Sequence, residues 1–167
     1  GLNVSGFDTS NVSDMSSMFY CCCGLRELDL GAFDTANVTD MHNMFQRNSE
    51  LEKLNVSSFD TSYVKNMKNM FYECFELENL DVSGFDTEQV MDMHYMFYCC
   101  SSLKSLDVSN FKTPAVVDMS GMFCYLTVNY LDLRGFDFAN VEDASHMFFG
   151  SQKLCDVDIN QINLPEN

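Results

Sequence analysis

Phe7, Phe33, Phe59, Phe85 and Phe111 recur at intervals of 26 residues, and Phe136 follows after 25. The pairs Met18-Phe19, Met44-Phe45, Met70-Phe71, Met96-Phe97, Met122-Phe123 and Met147-Phe148 keep the same beat. The missing residue falls between Phe123 and Leu131. Such a period means one supersecondary unit copied along the chain, here six times. A single copy cannot bury its own apolar face, so neighbours must stack and share a continuous core. With 46% apolar residues in 167, there is enough material for that core.

Each copy holds a strand pattern. Leu25 to Leu30 reads L-x-x-L-x-L, and Leu51 to Val56, Leu77 to Val82 and Leu103 to Val108 repeat it, with Val128 to Leu133 and Leu154 to Ile159 as weaker forms. Alternation sends the aliphatics inward and the intervening Asp or Asn outward. Each copy also holds a helix pattern. Thr9, Thr35, Thr61, Thr87 and Thr113 stand at an N-cap position, and Pro114 follows Thr113 where a first helical residue belongs. Val12, Met15, Met18 and Phe19 then fall on one face of a short helix. Asp14, Asp40, Asp92, Asp118 and Asp143 lie early enough in it to gain from the helix dipole. The expected fold class is α/β: a leucine-rich-repeat-like solenoid with a parallel sheet on the concave face and short helices opposite. Strands ~4.8 Å apart would give a sheet roughly 30 Å long. The expected organisation is one unit over 1–159, with 160–167 as a C-terminal tail or cap.

The run Phe85-Asp86-Thr87-Glu88-Gln89-Val90-Met91-Asp92-Met93-His94-Tyr95-Met96-Phe97, followed by Cys100 to Ser109, is a specific signature. It resembles the 26-residue repeats of the BspA-like leucine-rich repeat family of bacterial surface proteins, over Leu2 to about Phe148. The resemblance implies a secreted, modular binding protein, and it does not name a ligand. The pattern departs from the repeat at Lys112, Phe138 and Ala144. A first copy that enters mid-strand at Leu2-Asn3-Val4 suggests a piece of a longer array whose open edge associates end to end.

Function is then a question of which ladders of repeated residues face water. The outward strand position carries Asn3, Asp29, Asn55, Asp81, Asp107, Asp132 and Asp158. Carboxylates ~5 Å apart repel by about 0.8 kcal/mol per pair in water. Local hydrogen bonding could explain this column, and so could a surface for a basic or polyhydroxylated ligand; calcium bridging is a third reading, for which a single Asp column supplies few of the roughly six to eight oxygens needed. Beside it lie Glu27, Lys53, Asn79, Ser105, Tyr130 and Asp156, which differ from copy to copy. Tyr130 is the strongest contact candidate, because aromatics are enriched at binding hot spots. The candidate ligand face is therefore Glu27, Asp29, Lys53, Asn55, Asn79, Asp81, Asp107, Tyr130 and Asp132. A second acidic column, Asp8, Asp34, Asp60, Asp86 and Asp137, suits turns.

Other chemistry is poorly supplied. Cys74 and Cys100 hold equivalent places in adjacent copies and are the pair to consider for a disulfide. No cysteine pair has zinc spacing, and His42 and His94 are two copies apart, so neither metal nor cofactor is expected. A uniform carboxylate ladder does not provide the unequal environments that acid and base roles need, so no enzyme is expected. The formal charge of −16 excludes nucleic acid as a partner, and no apolar run is long enough for membrane insertion. The expected function is a non-enzymatic interaction or adhesion module at a bacterial cell surface, binding an extracellular protein or glycan. The alternative is a structural stalk or spacer that displays a binding domain elsewhere.

Overall fold

A computed structural model describes residues 2–159. The copies stack in register, each residue facing its counterpart about 26 positions on. Parallel bridges run Asp14↔Asp40↔Asn66↔Asp92↔Asp118↔Asp143 from copy to copy. Inside, Phe19, Phe45, Phe71, Phe97, Phe123 and Phe148 form a ladder of near-parallel rings with centroids 5.5–5.9 Å apart. Val38, Met41, Met44 and Phe45 are fully buried, as are Val64, Met67, Met70 and Phe71 in the next copy. The expected apolar columns are the core.

The expected helices are absent: no residue among those described is helical. The cause is visible in the backbone. Ser17, Asn43, Asn69, Tyr95, Gly121 and His146 have positive φ, and so do Cys21, Arg47, Glu73, Cys99, Tyr125 and Gly150 four residues later. Left-handed residues cost roughly 1–2 kcal/mol each for an ordinary side chain and cannot sit inside a right-handed helix. In the second copy, Met44 and Gln46 donate to the carbonyls of Met41 and Asn43, forming tight turns. The N–H groups between them point to the next copy instead. Met41, Asn43, Phe45 and Arg47 donate to the carbonyls of Asn66, Lys68, Met70 and Tyr72 at 2.7–3.0 Å. A helix would keep those donors within the segment. Here, successive turns place the apolar residues on one side much as a helix would, which is why the periodicity points to one.

The Thr column is also reassigned. Thr35 is buried, and its hydroxyl donates to the Asp60 carbonyl at 2.9 Å while accepting the Asp60 N–H at 2.8 Å. Thr9, Thr87 and Thr113 exchange the same pair of hydrogen bonds with Asp34, Lys112 and Asp137. These residues join copies and cap no helix.

The expected continuous sheet is likewise corrected. Among the described residues there are four three-residue strands: β1 (Glu27–Asp29), β2 (Lys53–Asn55), β3 (Tyr130–Asp132) and β4 (Asp156–Asp158). They form two separate parallel pairs, β1 with β2 and β3 with β4. Lys53 bridges on to Asn79, but the intervening copies are otherwise loop on this face. An Asx turn bends the chain at the ends of β1, β2 and β3, as at Asp29, whose Oδ1 accepts the Gly31 N–H at 3.0 Å. The fold is thus mostly hydrogen-bonded turns and loops stacked copy on copy, and not an α/β solenoid. The expected tail or cap, 160–167, lies outside the described residues.

Candidate functional site

The candidate ligand face is built from β1 to β4 and the loops between the pairs. Their central residues Leu28 and Leu131 are buried, which turns the flanking side chains outward. Two hollows lie on it. One, of about 400 Å³, is lined by Leu2, Glu27, Asp29, Lys53 and Asn55 together with Leu28 and Leu54. The other, also about 400 Å³, brings together Ser105, Asp107, Asn129, Tyr130 and Asp132. Asn79 and Asp81 are exposed between them and line neither. The nine candidate residues therefore divide into four, three and two.

The two hollows differ in charge and chemistry. In the first, Lys53 forms an ion pair with Glu27 one copy away. Each holds the other's charged form: the Lys53 hydrogen bond pulls the Glu27 carboxyl down, and Glu27 pushes the Lys53 ammonium up. Asn55 donates to Asp29 Oδ1 at 2.7 Å. In the second, Arg134 clamps Asp132 through both carboxylate oxygens, at 2.9 and 2.6 Å, and lowers its pKa to about 2. The Tyr130 hydroxyl donates to Asp158 Oδ2 at 3.0 Å, which raises the pKa of the phenol. Tyr130 is 41% exposed and lines the hollow, with its hydroxyl end held by Asp158.

The acidic columns share one local geometry. Asp29, Asp81, Asp107 and Asp132 each accept the N–H two residues on at 3.0–3.1 Å. Asp8, Asp34, Asp60, Asp86 and Asp137 do the same in the turn column, at 2.9–3.1 Å. So do Asp14, Asp40, Asp92, Asp118 and Asp143, at 2.8–3.1 Å, in place of the expected helix-dipole role. Asp residues favour such turns because the carboxylate reaches its own chain's backbone two residues on. One carboxylate oxygen of each is thus committed to the backbone, and at Asp132 the second is taken by Arg134.

Among the described residues all eight cysteines are free, so Cys74 and Cys100 are not joined. Their thiols donate to the carbonyls of Phe45 and Phe71 at 3.2 and 3.1 Å. Asn48 and Ser151 occupy the same column and serve the same carbonyl position.

Two groupings escape the sequence reading. Tyr72 stacks on Tyr98 at 4.5 Å, with Tyr95 and Tyr125 edge-on to them. Tyr95 passes close to Gly121, where an added Cβ would come within 2.1 Å of the ring. Separately, the His94 imidazole lies between Asp92 of its own copy and Asp118 of the next. The signal for this is D-x-H in one copy with Asp at the same place in the following one, legible only with copies written in register.

The family described as "Mycoplasma protein of unknown function, DUF285" matches residues 2–106 and again 75–166. No curated protein and no solved structure matches the chain at a significant level. The resemblance to BspA-like leucine-rich repeat proteins is overturned by this match, and the missing helices agree with the correction. The chain belongs to the DUF285 family.

Proposed function

We propose that the chain is a non-enzymatic interaction module of a bacterial cell-surface protein, engaging an extracellular protein or glycan through the face of β1 to β4. The observation that carries this reading is the pair of hollows over a near-invariant core, in which the repeated Asp or Asn column is joined by residues that change from copy to copy, Glu27 and Lys53 in one and Ser105 and Tyr130 in the other. Core columns repeat because packing demands it. Glu27, Lys53, Asn79, Ser105 and Tyr130 have no such constraint, so their variation gives the face its individuality. Among the described residues, six of the nine basic side chains are paired with acids, which leaves a net acidic surface suited to basic or hydroxyl-rich ligands. Several weak contacts along one rigid face would add through effective concentration.

The test is binding of the purified chain to panels of immobilised extracellular matrix proteins and glycans. The double variants Asp81→Lys with Asp107→Lys, and Tyr130→Ala with Asp132→Asn, should each lose binding about tenfold while keeping the wild-type melting temperature within a few degrees. Binding that survives both variants and removal of two whole copies would refute the reading. Surface placement is tested by protease treatment of intact cells, where protection of the chain would contradict it. The continuous inter-copy hydrogen bonds favour a second reading, a stalk or spacer. That reading predicts no ligand on any panel and unchanged attachment when copies are removed.

A further inference from the structure

His94 Nδ1 lies 2.7 Å from Asp92 Oδ1 and 3.6 Å from Asp118 Oδ2. These three residues offer ligand atoms within 4.8 Å of one another, and all three are half-buried. We propose that Asp92, His94 and Asp118 form a binding site for a divalent first-row transition-metal ion, held between two successive copies.

The argument begins with donor chemistry. An imidazole nitrogen with two carboxylate oxygens is a borderline set, suited to ions such as Zn²⁺, Co²⁺, Ni²⁺ or Mn²⁺ more than to Ca²⁺. Such an ion sits about 2.0–2.2 Å from each ligand, so neighbouring ligand atoms lie roughly 3.0–3.5 Å apart. The distances of 2.7 and 3.6 Å straddle that range, and small side-chain torsions close the difference.

Position supplies the second part. Asp92 and Asp118 are paired in a parallel bridge, so their backbones are fixed at inter-copy spacing. Each carboxylate is aimed by its bond to the N–H two residues on, of His94 and of Ser120. The imidazole is steadied by an edge contact with the Tyr95 ring at 5.6 Å. Binding displaces the Nδ1 proton that His94 shares with Asp92, and the ion takes its place between the same atoms.

The repeat itself provides the comparison. The equivalent positions elsewhere read Asp14, Ser16, Asp40; then Asp40, His42, Asn66; then Asn66, Lys68, Asp92; and Asp118, Ser120, Asp143. His42 makes the same 2.7 Å contact to Asp40 but faces Asn66 where His94 faces Asp118. Of these sets only 92, 94 and 118 carry three ligands. Lys68 on the preceding copy opposes a cation, and Asp143 on the following copy favours one.

The test is a Co²⁺ titration of the whole chain under reducing conditions, followed by visible absorption. Co²⁺ is chosen because thiolate ligation produces a separate charge-transfer band, so the eight cysteines cannot be mistaken for this site. The expected result is saturable binding of one ion without that band. His94→Gln and Asp118→Asn should each weaken it tenfold or more, and His42→Gln should leave it unchanged. Affinity should fall as pH drops, because the ion and a proton compete for Nδ1. Absence of saturable binding in the wild type, a thiolate band, or undiminished binding in both variants would overturn the proposal. Melting curves of each variant show that loss of binding is not loss of fold.

Discussion

The Thr35 hydroxyl and the Asp60 backbone exchange two hydrogen bonds across a copy boundary, at 2.9 and 2.8 Å. One small side chain thus satisfies both polar groups of a residue on the next copy. Thr35→Val keeps the shape and removes both partners. Orphaned buried groups cost about 1–3 kcal/mol each, so a loss of about 2–3 kcal/mol is expected in urea unfolding. Thr35→Ser should recover most of it. A Val variant as stable as wild type would show that water takes over these bonds.

Gly135 occupies a column that elsewhere accepts side chains, among them Ser58 and Asn110, whose polar ends bond to carbonyls of the preceding copy. After the one-residue deletion the chain runs closer, and a Cβ at Gly135 would meet the Phe111 carbonyl oxygen at 2.2 Å. That obstacle is backbone and cannot rotate away. Gly135→Ser should therefore cost about 2–3 kcal/mol, in the overpacking range. Gly84→Ser, at a position with nothing within 4 Å, should be nearly neutral. Equal effects in thermal melts would contradict the tight approach.

His94 makes stability depend on pH. The Asp92 hydrogen bond raises its pKa above the ordinary 6.5, against the opposing effect of partial burial. Burial tends to raise Asp92, but the hydrogen bonds from His94 prevail and lower it. A raised histidine pKa contributes stability that is complete below the unfolded value and lost as pH rises through the folded one. In chelator, wild type should therefore gain stability over His94→Gln as pH falls through the raised folded value toward the unfolded 6.5. The Asp92 contribution is present above its unfolded value and fades as pH falls through its lowered folded value. Parallel melting profiles for the two proteins would rule out the linkage.

Thiol reactivity should divide sharply. Burial pushes Cys74 up to about 12 and Cys100 well above its ordinary range. Both should resist alkylation in the native state, whereas exposed Cys21, Cys23 and Cys155 should label readily. Because Ser151 fills the same column, Cys100→Ser should cost less than about 1 kcal/mol, and Cys100→Val about 1–2 kcal/mol by orphaning the Phe71 carbonyl. Rapid labelling of Cys100 in the folded chain would refute the burial.

The repeat, its register and the buried columns are legible in the sequence, because Phe and Met returning at fixed intervals require copies that stack on a shared core. The backbone path is not. Val38, Met41, Met44 and Phe45 satisfy a helical period, and a series of tight turns satisfies it equally. What separates the two is a pair of left-handed positions per copy. Asn43, Asn69, Gly121 and Gly150 hint at them, but Tyr95, Arg47 and Glu73 at the same offsets disguise the pattern. Thr reads as a cap because its preference for helix starts is general, whereas its bond to a backbone 25 residues away depends on stacking. The candidate face can be written down residue by residue. Its division into two hollows cannot, since the sheet breaks between β2 and β3 in copies, Leu77 to Val82 and Leu103 to Val108, whose Leu pattern is the same as that of β2.

The Met-Phe segment hands alternate backbone N–H groups to the next copy, four in the second copy alone, with the Thr exchange beside them. These bonds run from copy to copy along the stack. Tension applied through the chain ends enters each coil at one point and loads the bonds of a junction in turn, as in opening a zipper. The molecule should therefore yield at low force and release its copies one after another from the ends. A force–extension trace would record that as evenly sized steps, one for each copy released.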